Sequence, residues 1–62
     1  MTVQFENVTV KIETDKALLC EWDADEHWVP KSQIHEDSEV YADGTNGTLI
    51  VSDWWADKAG LT

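Results

Sequence analysis

The 62-residue sequence predicts an α+β fold that is mainly β: a small antiparallel sheet or partial barrel of about four strands, with a short C-terminal helix. Three observations lead there. Apolar and polar residues alternate through β-branched runs. Polar turn segments and a single Pro30 separate those runs. The last eleven residues, Ser52 to Thr62, hold a helix cap, a short helical body and a terminal glycine in the right order.

The first strand is set by Val8, Val10 and Ile12 alternating with Thr9, Lys11 and Glu13. Val3 and Phe5 alternate in the opposite phase, so a bulge or break is expected near Glu6-Asn7. Thr14-Asp15-Lys16 is a polar turn, and Ala17 to Trp22 is the second strand, with Leu18, Cys20 and Trp22 sharing one face. Asp23 to Glu26 is the next turn. The third strand, His27-Trp28-Val29, halts at Pro30, which has no N–H to donate. Lys31 to Ile34 is expected as a helical turn with Ile34 as a plug and Ser32 capping its start. His35 to Gly47 is polar and acidic, with Asp43-Gly44 and Asn46-Gly47 as turn pairs. Thr48 to Val51 is the fourth strand. Ser52 or Asp53 caps a helix over Trp54 to Ala59, Gly60 takes the left-handed position and Leu61 folds back on Trp55 or Ala56.

One domain is all this length allows. It buries only about 60% of the surface its unfolded chain exposes, so its stability margin is small. Four tryptophans, each able to bury about 150–250 Å², are read mainly as core. The same aromatics also suit a homodimer.

Charge narrows function more than any motif does. Thirteen Asp and Glu stand against four Lys, with no Arg, for a net charge of −9. Such a chain is a poor grip for nucleic-acid phosphates or an anionic membrane. No apolar run is long enough to span a bilayer, and Met1 to Glu6 shows no signal-peptide pattern. A lone Cys20 allows no internal disulfide and fits a reducing, cytoplasmic setting.

The candidate chemistries are weak. His27, His35 and Cys20 lack the paired spacing of a metal site, so neither a metal nor another cofactor is expected. Ser32, His35 and Asp37 are merely neighbours, and triads are assembled by geometry, so no enzyme is expected. The acidic stretches have more consequence. Carboxylates at i and i+2 on a strand are about 6.6–6.8 Å apart, whereas each DNA strand carries a phosphate every 3.4 Å or so. Charge mimicry of DNA therefore needs two rows. Glu21, Asp23, Asp25 and Glu26 form one, and Glu36, Asp37, Glu39 and Asp43 supply the second if their loop lies alongside. Neighbours on a helix point about 100° apart, so one of Trp54 and Trp55 faces the core and the other is free to anchor a partner.

Lys16 to Cys20, the stretch Trp28-Val29-Pro30-Lys31-Ser32-Gln33-Ile34, Gly47 to Val51 and a Trp-containing helix ending Gly60-Leu61 resemble a group of small phage- and prophage-encoded proteins. The resemblance covers about three-quarters of the chain, centres on the seven residues from Trp28 to Ile34, and brings no catalytic residues. It implies a compact β domain in a phage or bacterial setting. This chain differs from that group in the acidity of Asp23 to Glu26 and in its Trp54-Trp55 doublet.

Together these readings predict a non-enzymatic inhibitor, similar to anti-CRISPR proteins in size and acidity. It would occupy the basic, nucleic-acid-binding surface of a larger host protein or nucleoprotein complex. The charged face would be Glu21, Asp23, Asp25, Glu26, Glu36, Asp37 and Glu39, and the anchor Trp54 or Trp55. Two alternatives stand: a nucleic-acid-binding β domain stacking bases on Trp28 beside Lys31, and a structural or assembly subunit.

Overall fold

The structure, a computed structural model, describes residues 1–61. Four antiparallel strands run β1 (Thr2–Glu13), β2 (Ala17–Trp22), β3 (Asp25–Pro30) and β4 (Asn46–Ser52). A 3-10 turn, Lys31–Gln33, follows β3, and helix α1 (Asp53–Lys58) follows β4. The sheet order is β3-β2-β1-β4. The α+β, mainly β architecture expected from the alternation is the one observed.

β1 does the bending. Its residues from Thr2 to Thr9 pair with β4, and those from Thr9 to Glu13 pair with β2. Between Phe5 and Val8 the register shifts, and Asn7 sits at φ 58°. That is the bulge the phase conflict at Glu6-Asn7 predicts, with Asn in the left-handed region it tolerates better than most residues. A second shift, between Val10 and Ile12, has no such warning in the sequence. It turns Ile12 onto the outer face, 48% exposed, where the alternation predicts burial with Val8 and Val10.

Two bulges in one long strand curl the sheet around its inner face. Only three residues separate Pro30, paired with Ala17, from Ile34, which bridges Val51 beyond β4. The two ends of the strand order therefore approach each other there, as in a partly closed barrel. The inner face gathers Val8, Val10, Leu18, Cys20, Trp22, Val29, Val40, Leu49, Val51, Trp55 and Ala56, with Val3, Phe5, Ile34 and Leu61 packed against them. Val40, fully buried in the middle of the acidic loop, is a core residue that the polar character of its neighbours hides.

Three local expectations change. The β2–β3 turn is only Asp23-Ala24, at φ 53° and 66°, so Asp25 and Glu26 begin β3. Asn46-Gly47 is not a turn but the start of β4, with Gly47 opposite Val8 at the bulge. Ser32 makes no capping hydrogen bond to the turn that Pro30 opens.

The helix end matches its sequence signals. Ser52 Oγ accepts from Trp55 N–H (3.2 Å) and donates to Gln33 Oε1 (2.6 Å). Gly60, at φ 76°, donates to Asp57 O, and Leu61 N–H reaches Ala56 O at 2.9 Å. These are the two bonds of a Schellman ending, and they fold Leu61 back onto the core.

Candidate partner interface

The β2–β3 hairpin has a fixed hydrogen-bond phase. Lys31 N–H donates to Lys16 O (2.7 Å), continuing a register in which Ala17 faces Pro30 and Trp22 faces Asp25. In an antiparallel ladder bonded and non-bonded pairs alternate. Leu18/Val29, Cys20/His27 and Trp22/Asp25 are thus the bonded pairs, whereas Leu19/Trp28 and Glu21/Glu26 are the close non-bonded ones.

On the outer face this register makes an apolar row across three strands. Ile12 lies opposite Leu19, and Leu19 opposite Trp28. Trp28 is 51% exposed, so among the described residues about half of its surface is left open. Beside that row stand Glu21 and Glu26, two like charges directly opposite each other, an arrangement that destabilises a sheet unless it is compensated. Lys11 compensates it, with Nζ 3.3 Å from Glu21 Oε1 and 3.7 Å from Glu26 Oε2. Both pairs are surface pairs, worth about 0.2–1 kcal/mol each. Asp23 and Asp25 follow at the hairpin tip, exposed.

The expected second acidic row lies elsewhere. Residues 34 to 39 run along the far edge of β4, with β1 and β2 between them and β3. There Glu39 has a structural task. Its N–H donates to Thr48 O (2.8 Å), and its Oε1 accepts from Thr48 N–H (2.9 Å). Ser38 does the same for Ile50: Oγ donates to the carbonyl (2.9 Å) and accepts from the N–H (2.8 Å). Glu36 and Asp37 are exposed, with Asp37 N–H donating to His35 Nδ1 (3.1 Å). The hairpin acids therefore lie on the β2–β3 side of the strand order, whereas Glu36, Asp37 and Glu39 lie beyond β4, where Glu39 is committed to Thr48.

The tryptophan doublet divides as helical geometry requires. Trp55 is buried in the core, while Trp54 is 60% exposed with Lys58 Nζ 5.0 Å from its ring. Trp54 belongs to the helix that packs on the inner face, so it does not join the hairpin acids. The exposed aromatic that does is Trp28. Only its strand position hinted at this: Leu19 and Trp28 occupy the non-core phase of β2 and β3. Inside, Trp22 stacks between Phe5 (4.8 Å) and His27 (4.5 Å), a structural use of aromatic surface.

Three of the four lysines are engaged with the chain's own groups: Lys11 as above, Lys58 over Trp54, and Lys31 with Glu13 Oε2 at 2.7 Å. The Lys31 ammonium, with help from the Asp43 N–H, holds the Glu13 carboxyl below the usual carboxylate range. Burial pushes the Cys20 thiol up to about 11, which keeps it neutral and unreactive at physiological pH. Among the described residues no three His, Cys, Asp or Glu side chains converge on a point that could hold a metal ion. No described helix is long and apolar enough to cross a membrane.

The fold and this surface define a class: a small acidic β domain with an apolar row and a carboxylate-rich hairpin on its outer face. Comparison with known proteins returns no match among family models, curated proteins or solved structures.

Proposed function

We propose that this is a non-enzymatic interaction protein that docks on a basic, nucleic-acid-binding surface of a larger partner. The resemblance of its Trp28 to Ile34 stretch to phage-encoded proteins favours a phage or bacterial setting, in which such a partner would be a host DNA-handling or defence complex and the protein its cytoplasmic inhibitor. The observation that supports this most is the adjacency of Glu21 and Glu26 to the outer-face Ile12–Leu19–Trp28 row, whose Ile12 and Trp28 are exposed, with Asp23 and Asp25 exposed at the hairpin tip beyond them. Charge brings the partner in, and the apolar row supplies contact area once water is displaced.

The placement of the loop acids limits how far mimicry reaches. One hairpin offers a single short row, so its complement is a basic patch the size of a few phosphates rather than a duplex-length groove. The stacking alternative is less well supported, because it needs a free Lys31 beside Trp28 and Lys31 is held by Glu13.

The test is capture of a partner from bacterial host lysate by the tagged protein at low and high salt. The proposal expects capture that falls steeply with salt and is lost in the Asp23→Lys, Asp25→Lys variant at unchanged melting temperature. Capture that survives both the salt and the substitutions would overturn it. Quenching of tryptophan fluorescence by single-stranded DNA at low salt would favour the stacking alternative instead.

A further inference from the structure

We propose that the outer edge of β3 accepts an extended basic segment of the partner as an added strand, using the backbone of Glu26 and Trp28. This rests on the basic-partner reading above and specifies how the contact is made. The two edges of the sheet are treated differently by the fold. Beyond β4, Ile34 lies opposite Val51, and His35, Ser38 and Glu39 occupy the edge with backbone and side-chain hydrogen bonds to Ile50 and Thr48. Beyond β3, among the described residues, no group bonds to the strand.

The ladder phase says which groups are left. Residues 25, 27, 29 and 31 bond inward to β2, so Glu26 and Trp28 turn both N–H and C=O outward. Pro30 presents a carbonyl but no N–H and ends the edge. Residues paired directly across a ladder point to the same face. The residues of an added strand opposite Glu26 and Trp28 would therefore lie on the outer face, beside a carboxylate and an open indole. A cationic residue suits both positions, as an ion pair with Glu26 and as a cation over the ring of Trp28. An apolar residue between them, opposite His27, would face the Trp22–His27 stack.

Charge selects this occupant over a second copy. Two chains paired through β3 would each bring a net charge of −9, a repulsion that opposes their approach whatever the register. A basic segment meets the same edge with charge complementarity, and main-chain hydrogen bonds give the contact affinity that needs little of either sequence.

The experiment is residue-resolved amide hydrogen exchange on the full chain, with and without the blocked peptide acetyl-Arg-Val-Arg-Val-Arg-Val-amide at low salt. In the free protein the Glu26 and Trp28 amides should exchange fast, and His27 and Val29 slowly. With the peptide at nine-tenths occupancy the first two should slow about tenfold, and Glu26→Gln should weaken the affinity while leaving the protected positions the same. Peptide binding with no protection at Glu26 and Trp28 would overturn the added strand and leave the basic-partner reading standing. No binding at low salt would overturn both. Protection of Glu26 and Trp28 in the free protein that rises with its concentration would assign the edge to a second copy and overturn the proposal.

Discussion

Gly47 illustrates how a single position can mislead and then explain itself. Next to Asn46 it has the composition of a tight turn, yet it lies within β4 at φ 135°, a conformation that L side chains rarely adopt. A Cβ there would sit 2.6 Å from Glu39 Oε1, the atom that closes the β4 edge at Thr48. Gly47→Ala is therefore expected to destabilise the domain by about 1–3 kcal/mol, as strained backbone positions do. Urea unfolding checks it, and in a Glu39→Ala background the added cost should shrink, leaving the backbone strain and the contact with the Cβ of residue 39 at 3.0 Å. Cys20 gives a second, pH-dependent prediction. Its folded pKa, about 11, lies above the ordinary value of 9.0. The unfolded chain thus loses the thiol proton first, so the contribution is intact below pH 9 and stability falls as pH rises from there towards 11. Thermal melts of wild type and Cys20→Ala should diverge in slope over that window, and a thiol reagent should not label the folded protein at neutral pH.

The β2–β3 hairpin is the element on which the interface depends, and its turn is not the best available. Asp23 and Ala24 both have positive φ, the geometry of a type I′ turn, which favours glycine at the second position. Ala24→Gly removes a left-handed penalty of about 1–2 kcal/mol at a flexibility cost of about 0.5–1 kcal/mol. A rise in melting temperature is expected, and a fall would contradict the turn geometry. Among elements, those with purely local signals were legible. The Schellman ending follows from Gly60-Leu61, and the first bulge from the mismatch between Val3/Phe5 and Val8/Val10. The second bulge was not, because Ile12 stays in phase with Val8 and Val10. Its reversal is set by how many β2 residues face it, a property of the pairing rather than of β1. The same bulge turns Ile12 outward and so completes the apolar row beside Trp28.

For the molecule as a whole, the excess of acids was legible at once but its distribution was not. Which edge the loop from His35 to Thr45 would follow depends on the short crossing from Pro30 to Ile34 and on Ser38 and Glu39 replacing a strand, and no composition encodes that. The outcome divides the acids between two edges and gives each a different role. At β4 Glu39 closes the sheet. On the β2–β3 hairpin Glu21 and Glu26 stand beside an apolar row whose Ile12 and Trp28 are exposed, and Asp23 and Asp25 follow at its tip. The claim that follows is positional: attraction to a basic partner comes from the hairpin and not from net charge alone. The most direct measurement compares partner capture by two variants of equal net charge, Asp23→Lys with Asp25→Lys, and Glu36→Lys with Asp37→Lys. The hairpin variant should lose the partner while the variant at the far edge keeps it. Equal loss in the two, or loss only at the far edge, would contradict the account.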